Sequence, residues 1–334
     1  MYNQTEAILS QYELEIRQIT KGRGTYICDT DKGMKLLSPF KGSKEKGECL
    51  KQYLAILAEN GYMTEQIYSN RNGEAVTEDE ITGERFLVKD YVKGTELSTA
   101  HFGEMIEVAG VLAKYHLAAE RAYEQMRNAN ICQSENGKFG SVDVVDVRVR
   151  HCRELVKVRN YIRSRKKKQE FERLYMVHFQ EMFTTAEYSC DILKEEAARP
   201  PQSLMCHGDC NHHNVVWSDG QWRMIHFENA VYSWAVWDLA NYVRKMMEKN
   251  GWDEELGMEI VRGYDMVRPL EREGYLQLYG LLLFPEKFWK LTNHYMNSNK
   301  AWIPGRDIEK LEKVIAQEAK RLKFMENLFS IGQK

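Results

Sequence analysis

The sequence predicts an α+β protein with two lobes, one rich in strands and one mainly helical. Up to Val92, short segments typical of β-strands alternate with glycine-containing turns. From Thr95 onwards, apolar residues recur at helical spacing, and one β-hairpin pattern at 215–228 interrupts them. A chain of 334 residues is long enough for two packed cores. We therefore expect an N-terminal lobe over 1–92 and a helical C-terminal lobe over 93–334.

The N-terminal lobe is expected to contain two helices and four strands. Ile8, Leu9, Tyr12 and Ile16 lie at helical spacing and predict the first helix. The second helix has an apolar stripe and is followed by Gly61, a residue type that commonly follows helix ends. In chain order we expect a helix at 5–16, a turn at 22–24, a strand at 25–30, a turn at 31–33, a strand at 34–37, a helix at 43–60, and strands at 75–76 and 85–92.

The C-terminal lobe is expected to consist of successive helices around the hairpin. A basic cluster, Arg163–Lys168, falls inside the longest helical region and is expected to form a solvated helix face, with contact to an anionic partner as the alternative. The predicted helices cover 100–126, 149–199 with one or two breaks, 236–249, 253–268, 271–284, 286–297 and 306–329.

Composition narrows the classes of function. The net charge of −2 gives no general support for a nucleic-acid or anionic-membrane partner. The chain lacks an apolar run of roughly 18 residues, and its first residues lack the basic and apolar parts of a signal peptide, so we expect neither a membrane span nor a secretion signal. The seven cysteines are scattered without a CxxC pair, which is typical of reduced thiols in a cytoplasm.

The most informative segment is 206–230, which reads as a loop, a hairpin and a second loop. The first loop contains His207-Gly208-Asp209, and Asn214 follows five residues after the aspartate. After a turn at Ser218–Gly220, the second loop begins with Ile225-His226-Phe227-Glu228. A carboxylate can accept a proton from a hydroxyl group, and amide and carboxylate oxygens are ligands for Mg²⁺. The pattern therefore predicts a catalytic segment.

This segment resembles the active-site core of the aminoglycoside phosphotransferase and choline-kinase branch of the protein-kinase-like fold. The resemblance implies a two-lobed kinase fold that transfers a phosphoryl group from ATP with Mg²⁺ or Mn²⁺. It implies that Asp209 orients the acceptor hydroxyl group and that Asn214 binds metal. Backbone groups of Asp90, Tyr91 and Val92, at the end of the last predicted strand of the first lobe, are expected to contact adenine.

The second loop departs from the family pattern, which has a metal-binding aspartate where this chain has His226. Mg²⁺ prefers oxygen ligands, and imidazole is a poor ligand for it. Three interpretations follow. The site has lost activity with Mg²⁺-nucleotide, or Glu228 binds the metal together with Asn214 and supports weak activity, or a softer ion such as Mn²⁺ or Zn²⁺ binds His226 with Asp209.

The phosphate-binding lysine of the family is also absent from its expected position. Spacing from Gly33 places Ser38 there. Lys35 lies three residues earlier, so it points to the opposite face of a strand and serves only if the register shifts or a bulge intervenes. The other candidates, which follow in the next loop and helix, are Lys41 and Lys44 for the lysine and Glu48 and Glu45 for its partner glutamate.

A narrower resemblance, over roughly 15–330, is to bacterial spore-coat proteins of the CotS type within the same superfamily. The matching segments are 206–214, Phe86–Thr95, Trp237–Leu239 and Leu283–Trp289. This resemblance implies synthesis in the mother-cell cytoplasm of a spore-forming bacterium and delivery to the spore coat, with spore-coat proteins as partners. The broader family pattern implies that His207 and Asp238 give structural support to the catalytic loop.

These observations favour a degraded phosphotransferase, that is, a pseudokinase with a structural or interaction role in the spore coat. One alternative is a weak or atypical ATP-dependent phosphotransferase that acts on a hydroxyl group of a small-molecule substrate or a protein. Another is a nucleotide-binding switch without turnover. The sequence thus predicts either ATP with Mg²⁺ or Mn²⁺ as cofactor or no cofactor, and neither a nucleic-acid nor a membrane partner.

Overall fold

Among its described residues, the first part of the chain contains seven short strands and two helices, and helices fill most of the remainder, so the strand-rich and helical parts follow the predicted order. The computed structural model describes residues 2–132, 139–198, 202–298 and 305–333. In chain order the first elements are α1 (Tyr2–Leu9), β1 (Ile16–Lys21), β2 (Tyr26–Thr30), β3 (Gly33–Pro39), α2 (Lys44–Glu59), β4 (Ile67–Tyr68), β5 (Val76–Glu78), β6 (Arg85–Asp90) and β7 (Thr95–Glu96).

The second part contains eight helices within the described ranges, with four short strands between the third and the fourth. They are α3 (Phe102–Asn128), α4 (Val144–Ser164), α5 (Glu170–Ala197), β8 (Ser203–Cys206), β9 (Val215–Ser218), β10 (Gln221–Met224), β11 (Val231–Trp234), α6 (Val236–Lys249), α7 (Glu254–Asp265), α8 (Arg272–Leu283), α9 (Glu286–Asn297) and α10 (Gly305–Gly332).

Strands β1 to β6 form an antiparallel sheet in the order β1-β2-β3-β6-β4, and β5 also pairs with β6. Strand β3 pairs with β6 so that Lys35 lies opposite Asp90. Because side chains alternate along a strand, Lys35 and Leu37 point to one face while Leu36 and Ser38 point to the other. Leu37 belongs to the core below α1, whereas Leu36 and Ser38 line the cavity described below.

The first predicted helix is wrong at its C-terminal end. The helix stops at Leu9, and Ile16 instead begins β1, a strand that the sequence did not predict. Ile8, Leu9 and Tyr12 are buried, and Ile16 packs against the same apolar cluster. Two elements therefore contribute to one core, and their apolar residues imitate the spacing of a single helix.

The prediction for α2 is confirmed together with its boundaries. The Ser43 side chain accepts a hydrogen bond from the backbone N–H of Lys46, which caps the first turn and contributes about 1 kcal/mol in comparable helices. Gly61 follows with φ +81°, a left-handed conformation that glycine adopts without the cost of a Cβ atom. The fixed first turn holds the side chain of Lys46 at one end of the helix.

The helices of the second part also follow the predictions, with differences at their ends. The predicted helix 149–199 divides once into α4 and α5, and Arg199 lies outside the described residues. The basic cluster is not one helix face, because it spans the end of α4 and the connection to α5, where Arg165 pairs with Glu172 at 3.0 Å. None of the helices in the described ranges combines the length and apolar character that a bilayer span needs.

Contacts along the chain define two compact units. The first comprises Met1–Ser98, Val111–Ser141 and Leu204–Tyr232, and the second comprises Thr99–Gly110, Val142–Ser203 and Ser233–Lys334. The predicted division at residue 92 stays a prediction. In the second unit, α4, α5 and α9 share an aromatic core in which Tyr175 stacks on Phe288 with 5.2 Å between ring centroids. In the first unit, the Tyr53 and Tyr115 hydroxyl groups are 2.9 Å apart, and Tyr115 donates to the Met205 carbonyl.

The expectation of seven reduced thiols is wrong for one pair of cysteines. Cys49, buried in α2, forms a disulfide with Cys132, and their Cα atoms are 5.8 Å apart. The two residues are separated by 83 positions, so their sequence spacing carries no signal of the pairing. The described free cysteines are Cys28, Cys152, Cys190, Cys206 and Cys210.

Candidate functional site

The loop after β8, called here the catalytic loop (His207–Asn214), is fixed by its own side chains. The His207 ring is fully buried and donates from Nε2 to the Ile225 carbonyl at 2.8 Å. Its Nδ1 therefore carries no proton and accepts the backbone N–H of Asp209 at 3.2 Å. His207 thus joins the catalytic loop to the segment after β10, and its role in supporting catalysis stays a prediction.

Asp209 and Asn214 lie together, as their spacing predicts. The Asn214 side-chain amide donates to the backbone carbonyl of Asp209 at 2.9 Å and to its carboxylate at 3.1 Å. Gly208 has φ +80°, and a Cβ atom there would meet the Asn229 carbonyl oxygen at 2.1 Å, so the loop requires glycine at this position. The catalytic roles of Asp209 and Asn214 stay predictions.

A cavity of about 800 Å³ lies beside the catalytic loop within the first unit. The predicted adenine-contacting residues Asp90, Tyr91 and Val92 line it, as do Asp209 and Asn214. The volume falls within the usual range of small-molecule sites, about 300 to 1,000 Å³. Strand β7, which follows the predicted adenine-contacting segment, pairs with β9 of the hairpin and brings the two segments together.

The second loop, called here the metal loop (Ile225–Asn229), keeps a tight backbone conformation. His226 has φ +67° and ψ +59°, a left-handed conformation in which histidine is more common than most other non-glycine residues. The backbone N–H groups of His226 and Phe227 both donate to Glu65 Oε1, at 2.8 and 3.2 Å. Glu65, which precedes β4, therefore holds the loop from a position 161 residues away.

A buried lysine occupies the centre of this loop. Lys89 on β6 has a side chain that is 1% exposed, and its Nζ donates to Glu65 Oε1 at 2.9 Å and to Glu228 Oε1. Nζ also lies 3.0 Å from His226 Nδ1, which must accept because an ammonium group only donates. Burial alone would lower the pKa of Lys89, but the carboxylates of Glu65 and Glu228 raise it above its ordinary value. The ammonium charge is therefore retained.

Glu228 is the ionised partner of this lysine. Burial favours the neutral acid, yet the Lys89 ammonium group holds the pKa of Glu228 well below its usual range. Glu228 also accepts a weak hydrogen bond from the Ser38 hydroxyl at 3.4 Å, and its backbone carbonyl accepts from Lys46 Nζ at 2.9 Å. Three different elements therefore contribute polar contacts to one glutamate.

The residues present do not fit the Mg²⁺ ion that the fold family implies. Ligand atoms of Glu65, His226 and Glu228 lie within 4.8 Å of one another and form the candidate metal group among the described residues. The Lys89 ammonium group contacts all three of these side chains. A divalent ion at the same place would meet a fixed positive charge, and one of its ligands would be an imidazole.

The phosphate-binding lysine expected from the family is absent on β3. Ser38 faces the cavity, whereas Lys35 is 3% exposed on the opposite face and pairs with Asp90 at 2.9 Å. Glu48, the expected partner, accepts the backbone N–H of Ala75 instead. The structure thus places Lys35 and Glu48 away from the cavity lining, and their predicted cofactor-binding roles stay predictions.

Lys46, on the first turn of α2, supplies the cavity with a positive charge that the sequence did not reveal. Burial lowers its pKa, because the side chain is partly withdrawn from water. Lys41 also lines the cavity, while Lys44 pairs with Glu74 at 3.4 Å on the surface. Lys46 lies in the first turn of a helix, where lysine is usually exposed, so the sequence does not indicate that its side chain lines a cavity.

Sequence reasoning also missed Lys89 and Glu65. The sequence does contain a signal for Lys89, because this residue directly follows the apolar run Phe86–Val88 of a strand. A lysine buried in such a strand is almost always paired with a carboxylate, so its position indicates a buried ion pair. Asp238, expected to support the catalytic loop, is fully buried in the first turn of α6 in the second unit. Its supporting role stays a prediction.

The segment that contains both loops lies inside a region that matches a known protein family. Residues 15–281 match the family described as "Phosphotransferase enzyme family". The chain belongs to this family. It is also similar to Spore coat protein S of Bacillus subtilis (strain 168), with 21% identity over 341 residues that cover 98% of this chain and 94% of that protein. The predicted CotS-type resemblance is thereby confirmed.

Solved structures confirm the α+β, two-lobed protein-kinase-like fold. An aminoglycoside phosphotransferase from Alicyclobacillus acidocaldarius aligns with a TM-score of 0.81 at 18% identity, covering 98% of this chain and 96% of its own. An amicoumacin kinase in complex with AMP-PNP and Ca²⁺ aligns with a TM-score of 0.64 at 12% identity over 96% and 92%. A choline/ethanolamine kinase family protein from Mesorhizobium loti aligns at 0.57 and 14% over 97% and 98%.

Proposed function

We propose that this chain is a kinase-like spore-coat protein that has lost Mg²⁺-dependent phosphoryl transfer and serves a structural or interaction role. The likeness to Spore coat protein S over nearly the whole of both chains supports the coat assignment. Its partners are then other spore-coat proteins, and it moves from the mother-cell cytoplasm to the coat.

The buried ammonium group of Lys89 is the observation that carries the loss of activity. Phosphoryl transfer needs a divalent ion that bridges the phosphate oxygens and a cation on the transferred group. Lys89 lies among the candidate metal ligands, and Ser38 stands where the family has its phosphate-binding lysine. The divalent ion and the phosphate-binding lysine are therefore both missing as sources of positive charge for the transition state. In active enzymes each of them contributes several kcal/mol of transition-state stabilisation.

The test is an ATP-turnover assay of the wild-type chain with Mg²⁺ or Mn²⁺ and a mixture of hydroxyl acceptors, run beside Asp209→Ala. We expect the same background rate for both proteins. Turnover that is at least about tenfold above background and disappears in Asp209→Ala would establish the alternative, a weak or atypical phosphotransferase. Localisation of a fluorescent fusion during sporulation tests the coat assignment separately.

A nucleotide-binding protein without turnover is a second candidate that one observation favours. The cavity contains the predicted adenine-contacting residues Asp90 to Val92 and the ammonium group of Lys46, which donates to a backbone carbonyl rather than to a carboxylate. An incoming phosphate group would therefore find a partly buried cation beside the place expected for adenine. Metal-independent binding of ADP, measured in EDTA, is the outcome that supports this candidate.

A further inference from the structure

The ammonium group of Lys89 lies at the centre of a cluster of three side chains, Glu65, His226 and Glu228, and contacts each of them. An ammonium group has three N–H donors, and the three contacts of Lys89 Nζ go to one oxygen of each glutamate and to His226 Nδ1. The donor capacity of the lysine is thus fully used inside this cluster. No N–H donor of this ammonium group remains for a hydrogen bond to a phosphate or a substrate.

The cluster needs a cation for electrostatic reasons. The side chains of Glu65 and Glu228 are 3% and 17% exposed, so both carboxylates are largely withdrawn from water. Two such carboxylates within reach of one another repel unless a positive charge lies between them. Lys89, with a side chain 1% exposed, is that charge.

The same three side chains would suit a divalent ion if the lysine were absent. Their ligand atoms lie within 4.8 Å of one another, and one nitrogen with two carboxylate oxygens is a donor set typical of Mn²⁺ or Zn²⁺ rather than Mg²⁺. Glu65 is held in place by two backbone N–H groups, at 2.8 and 3.2 Å, so the ligands are arranged in advance. This donor set differs from the Asp209 and Asn214 pair of the catalytic loop.

We infer that Glu65, His226 and Glu228 form a latent divalent-metal site whose resident cation is the tethered ammonium group of Lys89. The lysine cannot dissociate, so the metal loop keeps its conformation without any bound metal ion. Removal of the lysine side chain exposes a site for Mn²⁺. The inference rests on the proposed loss of the catalytic metal, but its test measures metal binding and stability instead of turnover, so the two can fail separately.

The test compares Mn²⁺ binding by wild type, Lys89→Ala and Lys35→Ala, with free Mn²⁺ measured by electron paramagnetic resonance. Lys35 is the matched control, because it is a buried lysine on the neighbouring strand that pairs with a carboxylate, Asp90. We expect Lys89→Ala to bind one more Mn²⁺ per chain than either other protein, at least about tenfold more tightly than their weak surface sites. In Lys89→Ala/Glu228→Gln this additional ion is lost.

A folded Lys89→Ala protein that gains no Mn²⁺ site would overturn the inference, as would a gain that survives the added Glu228→Gln change. The wild-type protein provides a second measurement that needs no variant to fold. Its thermal unfolding temperature should be the same in Mn²⁺ and in EDTA. A rise with Mn²⁺ that disappears in Glu228→Gln would show that the metal already binds despite Lys89, and the inference would be wrong.

Discussion

The catalytic loop and the metal loop of the first unit lie beside each other, but they differ in how far their side chains follow the family pattern. In the catalytic loop, Asp209 and Asn214 retain the residue types and spacing of the family and contact each other directly. In the metal loop, His226 replaces the family aspartate, and Lys89 enters from β6. The comparison teaches that the residue types of the catalytic loop can be kept while the charges of the metal loop change, and that protein side chains hold the metal-loop backbone, because Glu65 accepts the His226 N–H and His207 donates to the Ile225 carbonyl.

The largest effect is expected when the metal loop loses its anchor. Glu65→Ala removes the acceptor of two backbone N–H groups and leaves the buried Lys89 with a single carboxylate. Each buried N–H group left without an acceptor costs about 1 to 3 kcal/mol, and the loss of one of two carboxylates beside Lys89 adds to this, so we expect a loss of at least about 3 kcal/mol, which urea unfolding followed by circular dichroism measures. Glu48→Ala, which removes one half-buried acceptor from α2, should cost only about 1 kcal/mol. Equal losses in the two variants would refute the anchoring role.

The contact that joins the two loops is expected to rank second. His207→Ala removes the donor to Ile225 and the acceptor of the Asp209 N–H, and it leaves a space beside Phe227. We expect a loss of about 2 to 3 kcal/mol in the free energy of unfolding. His213→Ala, on the same loop but in an exposed pair with Glu96, should cost less than about 1 kcal/mol. A similar cost for both histidines would mean that the loops are held by other contacts.

The ion pair inside the metal loop should produce a defined pH dependence. The pKa of Glu228 is depressed in the folded chain, so its stabilisation is present above the unfolded value of 4.5 and is lost as pH falls through the lower folded value. The pKa of Lys89 is raised, so its part is present below 10.5 and is lost as pH rises through the higher folded value. Between these limits the contribution is constant.

Glu228→Gln tests this dependence. The variant should be less stable than wild type at neutral pH, and the difference should shrink below about pH 4.5 by up to about 1.4 kcal/mol per pH unit. Urea unfolding at a series of pH values measures both curves. Parallel curves from pH 7 down to pH 3 would contradict an ionised Glu228 in the folded chain.

The smallest effect concerns the cation that lines the cavity. Lys46→Met should weaken ADP binding in EDTA by about tenfold, or about 1.4 kcal/mol, in isothermal titration calorimetry. Lys44→Met is the matched control, because Lys44 lies on the same turn of α2 but pairs with Glu74 at the surface. An identical affinity for wild type and Lys46→Met would remove Lys46 from the binding site.

Local patterns predicted the parts of this site that are continuous in the chain. The catalytic loop, the hairpin and the metal loop follow one another within 206–230, so turn residues and motif spacing were sufficient. Helix α2 could be placed because Ser43 and Gly61 mark its two ends. These features depend on neighbours only a few residues away.

The cation cluster could not be predicted, because its members meet only in the folded chain. Glu65 is 161 residues from His226, and Lys89 is 139 residues from Glu228. The apolar run before Lys89 indicates that this lysine could be buried, but no local pattern indicates which carboxylates will be buried beside it. The same reason explains why the predicted first helix extends to Ile16, since this residue of β1 reaches the core of α1 only through tertiary packing.

The disulfide between Cys49 and Cys132 closes the intervening chain into a covalent ring that contains β4, β5, β6 and β7. Lys89 and the predicted adenine-contacting residues Asp90 to Val92 lie on this ring, while the catalytic and metal loops lie outside it. A protease that cuts once between residues 50 and 131 therefore leaves a single covalent molecule. The two fragments separate on a denaturing gel only after a thiol reductant opens the ring, so the gel reports directly whether the bond is present in protein taken from its native compartment.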